Sequence, residues 1–440
     1  MPRELTVELH GERVGSLVEV RGGIDFLPDP DAVRRHGLGS QVMSLAVPLV
    51  PRPSPRDRRR RANFFAELLP EGRARPQLAT LARVPDDDVL GMLAAYGRDV
   101  AGALQIWDPA VPDEPRTPAI EPVDDAAIRT MLDDVQRTPL GNAPRRGKTS
   151  LNGVQSKIVL VRTDDGWARA LDGYPSTHIV KPIVADLPTM IFDEEYGSRF
   201  VRALGLARFE TTLTRFVDAA ALVVERYDRS PLSPDGRIHQ EDFSQILGLA
   251  GDRKYETYGG RGLREAARHL DTGDRSRLAK MVTLSIAVGN LDMHAKNISV
   301  LHHPDGTFEL APMYDCVPQT FHDNDGAFAF AVNGVFEHRL ITRQDLAAEF
   351  TTWGVPDAPG VITATLEQIR HVATEERPHV AAQPGLQQIV LRFTDNLLAG
   401  RAAGDDGDGM FDPAAGAAAA TGGGGWARAE QPVRWPAERS

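Results

Sequence analysis

One cysteine, Cys316, stands in 440 residues. An intramolecular disulfide framework is therefore excluded, and a reducing compartment is the natural setting. The chain also lacks any apolar run of about 18 residues, the length that a membrane-spanning helix needs. Its first residues, MPRELTVELHGERVG, carry no apolar stretch of signal-peptide length. A soluble cytoplasmic protein without membrane attachment is expected. Positive charge is in deficit: 50 Lys and Arg face 61 Asp and Glu, for a formal net charge of −11. Bulk attraction to nucleic acid is not expected from such a balance. What remains is an ordinary globular composition, 42% hydrophobic, long enough for two or three domains or one large core with subdomains.

The pattern along the chain divides it. Residues 3–9 and 14–20 alternate apolar and polar around HGER, which predicts a hairpin. Residues 41–50, QVMSLAVPLV, read as a further strand. A helix is expected from about Asp57 to Leu69, more helices over 75–96, and a strand at the end of 97–107. These make a first domain, 1–107. Five prolines fall in 108–123, which reads as a linker. A second region, 124–398, begins with a short helix near 124–136, continues in strands with an amphipathic helix over 190–204, and turns helical from about residue 240. Strands first and helices later predict an α+β fold of two lobes, with a β-rich N-terminal subdomain and a mostly helical C-terminal lobe, as in protein kinases. Residues 399–440 are rich in Gly and Ala and are expected to be disordered.

The stretch 290–315, NLDMHAKNISVLHHPDGTFELAPMYD, carries the most chemistry. Asp292 precedes Asn297 by five positions, two short apolar runs flank a PDG turn, and Asp315 follows. An isolated aspartate and asparagine at this spacing is usually a polar loop. Here His294, Lys296, the hairpin and a second acid accompany it. Phosphoryl transfer needs a residue to orient the attacking hydroxyl and oxygen ligands for Mg²⁺. Asp292 suits the first task, Asn297 and Asp315 the second. The hairpin would bring the last two together.

Earlier pieces fit the same chemistry. SLNGVQSK, residues 150–157, opens a strand with a glycine where backbone amides could cradle phosphate. Lys181 lies inside the apolar strand HIVKP and needs a partner there. ATP phosphate is one, and a helix carboxylate is another: Glu195 is the expected one, with Glu194 one position away. VERYDR, residues 224–229, ends a strand where a backbone could meet adenine.

Together these segments resemble the HipA family, serine/threonine kinase toxins of bacterial type II toxin–antitoxin modules. The resemblance spans roughly residues 1–398. It includes FFAELLPEG (64–72), GRDVAGALQI (97–106), IHQEDFSQILG (238–248) and LAPMYD (310–315), all in order. It implies Asp292 as catalytic aspartate, Asn297 and Asp315 as Mg²⁺ ligands, and Ser150 as a site of autophosphorylation. It also implies ATP contacts from Gly153, Val154, Gln155, Lys157, Lys181, Glu225, Tyr227, His294 and Lys296. A helix-turn-helix, HipB-like antitoxin is the implied partner, with DNA reached only through it. A protein such as an aminoacyl-tRNA synthetase is the implied acceptor. A lipid or small-molecule kinase, and an inactive kinase-fold corepressor, remain alternatives.

Two weaker features point elsewhere. Arg52, Arg56 and Arg58–Arg61 form a basic cluster, more simply a solvated loop and helix start than a DNA face. His294, His302 and His303 could suggest zinc, but no Cys partner or helical i,i+4 His pair supports it.

Overall fold

The computed structural model describes residues 3–406 apart from Pro234 and Asp323. The alternation near the N-terminus becomes β1, Glu4–Leu9, and β2, Glu12–Val20, in antiparallel register. Between them His10 and Gly11 take φ of 52° and 76°, the pair of positive values that a type I′ hairpin turn requires. With β3, Gly23–Pro28, and β4, Leu104–Trp107, they form a sheet of order β3-β2-β1-β4. Leu5, Val7, Leu17 and Phe26 are buried on it against Phe64 and Phe65. Both phenylalanines lie on the helix Pro55–Ala66, which Ser54 caps by accepting from the Asp57 amide.

Two expectations for this region are corrected. Residues 41–50 bury Met43, Val47 and Leu49 but form no strand. A distant carboxylate takes the place of a neighbouring strand: Glu241 accepts from Ser44 Oγ at 2.6 Å and from the Leu45 amide at 2.7 Å. The arginine cluster is not simply solvated either. Arg61 is buried and donates to the carbonyls of Phe26 and Val50, Arg58 pairs with Asp25, and Arg60 donates to the Ile246 carbonyl.

The second sheet contains β5, Ala119–Val123; β6, Ile158–Thr163; β7, Gly166–Leu171; β8, His178–Pro182; β9, Thr211–Phe216; and β10, Ala219–Glu225. Its order is β5-β7-β6-β8-β10-β9. The end of the expected linker is thus an edge strand. Pro122 is tolerated there because an edge position can do without a ladder donor. The C-terminal lobe is helical around Thr272–Val288, with Ala358–Glu375 and Leu386–Leu398 packed on it. Leu346, Phe350 and Trp353 belong to this core. A small sheet of β11, His239–Asp242, β12, Ser299–His302, and β13, Phe308–Leu310, sits in the same lobe. The start of the expected disordered tail is ordered: the Ala403 amide donates to the Ile341 carbonyl, and Asn396 Nδ2 donates to the carbonyls of Ala403 and Asp405. The remainder of that tail, 407–440, lies outside the described residues. Among the described residues no helix is long and apolar enough to cross a membrane.

Buried charge locks the first sheet's domain to the second sheet. Asp99 accepts from Arg229 Nη2 at 2.9 Å and from Thr149 Oγ1 at 2.9 Å. Asp228 accepts from the Gly102 amide at 2.7 Å and from Arg226 Nη2 at 2.8 Å. All four charged groups are buried. Removing one member strands the others without water. Asp99→Ala is therefore expected to cost about 3–5 kcal/mol, measured as a lowered urea midpoint. An unchanged midpoint would refute this assignment.

Candidate active site

β8 is held between β6 and β10, and this places Lys181 inside the second sheet. Its ammonium meets Glu194 at 2.7 and 2.9 Å and Asp315 at 2.8 Å. Burial works against charge on Lys181, but Asp315 and Glu194 more than reverse it, so its pKa is raised. Burial likewise opposes ionisation of Asp315, and the Lys181 ammonium outweighs it, so that carboxyl is held below its ordinary value. The expected partner Glu195 is corrected to Glu194. Neighbours on a helix point about 100° apart, and Glu195 instead pairs with Arg199 at 2.8 Å, one turn on.

The phosphate-type loop lies beside this pair. Lys157 Nζ donates to the Asn152 carbonyl at 2.6 Å, and burial together with the nearby Lys181 pushes its pKa down to about 8. Gly153 has φ of 101°, and a Cβ there would come within 2.8 Å of Lys157 Nζ; only glycine meets both demands. Asn152 Nδ2 donates to Asp242 at 3.1 Å, tying the loop to the floor beneath it. Val154 is largely exposed, and Gln155 Nε2 is buried with no partner among the described residues. Ser150 is fully buried: its Oγ donates to the Leu68 carbonyl at 2.9 Å and its amide to the Asp99 carbonyl.

The loop after Thr272–Val288 begins with a left-handed Gly289. Asn297 Nδ2 donates to the Asp292 carbonyl at 2.8 Å, so the five-residue spacing is the span of a closed loop. The Asp292 carboxylate accepts from Tyr255 Oη at 2.6 Å. Burial raises its pKa to about 6; the Tyr255 hydrogen bond opposes that rise and Asp315 adds to it. His294 is buried edge-on to Tyr255, and burial pushes it down to about 3, so it is neutral. Lys296 is committed to Glu67 at 2.6 Å and Glu71 at 3.2 Å. The β12–β13 hairpin then returns the chain to Asp315, whose φ is 57°, a left-handed conformation uncommon outside glycine.

Two cavities meet here. One, of about 140 Å³, runs from Lys181, Asn297 and Asp315 to Glu225 and Tyr227. Tyr227 stacks on Tyr314 at 5.4 Å. The amides of Glu225 and Arg226 are spent on the carbonyls of Glu210 and Thr177. The other cavity, of about 430 Å³, is lined by Asp292, Tyr255, Val154 and Gln155 among others. Asp292 lines the second cleft and not the first, whereas Leu151, Gly153, Lys157, His294, Asn297 and Asp315 line both. The hairpin has thus brought Asn297 and Asp315 to one wall, as expected. The zinc alternative finds no geometry: His302 pairs with Glu241 at 2.9 Å, and among the described residues no cluster of three His, Cys, Asp or Glu could hold a metal by itself. Sequence reasoning missed Glu67, Glu71, Lys254 and Tyr255. The only local signal was the i,i+4 spacing of the two glutamates in FFAELLPEG.

Residues 5–107 match the HipA N-terminal domain, and residues 149–376 match the HipA-like C-terminal domain. The Y4mE protein of Sinorhizobium fredii is 35% identical over 332 residues, 71% of this chain and 76% of that protein. The serine/threonine-protein kinase toxin HipA of Shewanella oneidensis is 26% identical over 376 residues, covering 80% of this chain and 84% of the toxin. A solved structure of the Shewanella oneidensis MR-1 HipA, HipB and operator DNA complex superposes with a TM-score of 0.69 at 21% identity, over 90% of this chain and 96% of that one. The expected bilobal, kinase-like α+β fold is therefore shared, and the chain belongs to the HipA family.

Proposed function

We propose that this HipA-family chain is a serine/threonine protein kinase that uses ATP and Mg²⁺ and arrests growth as the toxin of a toxin–antitoxin pair. The observation that carries the proposal is the shared wall: Lys181, Asn297 and Asp315 face one cavity, and Asp292 faces the cleft on its other side. Asp315 and the Asn297 amide are hard oxygen donors suited to Mg²⁺, which commonly completes its shell with phosphate oxygens and water. With Nδ2 tied to the Asp292 carbonyl, Asn297 has its Oδ1 available for a metal. Bound ATP with Mg²⁺ supplies the phosphoryl group and neutralises its charge. Lys181, fixed by Glu194, holds a phosphate oxygen, and the Gly153 loop covers the phosphates. Tyr227 walls the adenine end. Asp292 takes the proton of an acceptor hydroxyl presented in the cleft.

The family resemblance extends the proposal to partners. A helix-turn-helix antitoxin binds the chain and carries any DNA contact, and the acceptor is a translation-related protein such as an aminoacyl-tRNA synthetase. Support for an indirect DNA contact comes from the arginine cluster, of which Arg58, Arg60 and Arg61 are committed within the fold. Self-phosphorylation at Ser150 is part of the proposal as well. Its hydroxyl is buried against Leu68, so a phosphate there requires the loop to move outward. Of the cations just upstream that could receive that phosphate, Arg146 already pairs with Asp172 and Lys148 with Glu114. Those pairs would have to exchange.

Asp292→Asn is expected to lower γ-phosphate transfer by about 10²–10⁴-fold while keeping the thermal shift produced by Mg²⁺ and ATP. Transfer within about threefold of wild type would remove the assigned base. Asp315→Ala is expected to abolish the Mg²⁺ dependence of nucleotide binding, and Asn297→Ala to weaken it less, since a neutral ligand contributes less charge. Glu194→Gln should weaken nucleotide binding and Glu195→Gln should not; calorimetric titration with ATP separates them, and the reverse order would restore Glu195 as the partner. Intact-mass analysis after incubation with Mg²⁺ and ATP should show one added phosphate, mapping to Ser150 and absent from Ser150→Ala. No added mass, or a phosphate only elsewhere, would end the proposal of self-phosphorylation at Ser150.

A further inference from the structure

Asp292 sits on a loop with 38% of its side chain exposed. Without a restraint its carboxylate would sample several rotamers. An acceptor hydroxyl must meet one oxygen in one direction, and small misplacements of a reacting group are costly. One restraint is present. Tyr255 Oη donates to Oδ1 at 2.6 Å. Oδ2 receives no hydrogen bond among the described residues, so it is the oxygen left for the cleft.

The Tyr255 ring is itself held on several sides. It packs edge-on to His294 at 5.0 Å and to Tyr258 at 6.0 Å, and the Lys254 ammonium lies 5.4 Å from its centroid. Lys254 is in turn anchored from the other domain: its ammonium meets Glu71 Oε2 at 2.8 Å. The second oxygen of Glu71 lies 3.2 Å from Lys296, which also meets Glu67 at 2.6 Å. Glu67 and Glu71 close the FFAELLPEG segment, directly after the helix Pro55–Ala66. A continuous set of contacts therefore runs from the N-terminal domain through Glu71, Lys254 and Tyr255 to the carboxylate of Asp292. Packing alone would be met by phenylalanine at position 255; the hydroxyl adds only the bond to Asp292. Burial and the adjacent Asp292 raise the phenol's pKa, so it stays a donor.

We propose that Tyr255 is the positioning residue for Asp292 and that the N-terminal domain holds it in place through Glu71 and Lys254, a role that rests on the kinase reading above. Tyr255 fixes Oδ1 and thereby aims Oδ2 at the acceptor. The N-terminal domain is then a working part of the site, beyond any part it takes in binding a partner.

The test compares wild type, Tyr255→Phe, Glu71→Gln and the double variant, using Mg²⁺ and ATP with dephosphorylated casein as a generic acceptor and the chain itself as a second. A hydrogen bond to a charged group is worth roughly 10- to 100-fold. Tyr255→Phe should lose that much in kcat, with KM for ATP within about twofold and the nucleotide thermal shift retained. Glu71→Gln should fall in the same direction but less. The double variant should fall no further than Tyr255→Phe, because both act through one hydroxyl. If wild type transfers phosphate and Tyr255→Phe keeps kcat within about twofold, the positioning role is overturned and the kinase reading stands. Independent, additive losses in the double variant would overturn the link to the N-terminal domain. A wild type that transfers phosphate neither to casein nor to itself defeats the kinase reading, and this proposal with it. Should Glu71→Gln fail to fold, the split between kcat and KM in Tyr255→Phe still decides the role of the hydroxyl.

Discussion

An ammonium group inside a sheet is stable only with negative partners, and Lys181 draws its partners from two other segments. One is Glu194, on the helix Met190–Ala203; the other is Asp315, on the segment after β13. Strand, helix and hairpin end are thereby set relative to one another by a single nitrogen atom. The cost of breaking such a buried pair exceeds the value of making it, so the three segments are constrained to move together or not at all. The left-handed backbone at Asp315 belongs to the same constraint. It turns the chain sharply at the residue whose carboxylate must face the cavity.

A second set of buried charges works between domains. Arg226, Arg229, Asp228 and Asp99 join the strand-end segment after β10 to the chain near Val100 and Gly102. The same segment supplies Tyr227 to the cavity wall. A planar guanidinium offers several donors in fixed directions, so two of them orient the segment as well as hold it. The residues beside the cavity are therefore positioned from the N-terminal domain on one side and from the second sheet on the other.

Local chemistry was legible in the sequence, and long-range pairing was not. The PDG turn between β12 and β13, the alternation in β1 and β2, and the closed loop from Asp292 to Asn297 each depend on residues a few positions apart. The choice between Glu194 and Glu195 was harder, because Ile191 to Gly197 are all buried and no apolar stripe fixes the helix phase. Residues 41–50 have a strand's composition, yet the Leu45 amide and the Ser44 hydroxyl are taken by Glu241, nearly two hundred positions on. The β5 edge strand was hidden by Pro122. The chain from Glu71 to Tyr255 had no local signature, since its contacts join residues 183 positions apart.

The separation of the two cavities has a kinetic meaning. They share the wall formed by Leu151, Gly153, Lys157, His294, Asn297 and Asp315. Under the proposed kinase reading, nucleotide and acceptor would occupy separate chambers on its two sides. On that reading a ternary complex would assemble in either order, with direct in-line passage across the wall and no need for a covalent phospho-enzyme on the route. Initial-rate plots would intersect instead of running parallel. A molecule long enough to straddle the wall would combine the binding energy of both chambers, gaining the advantage in effective concentration that tethering gives.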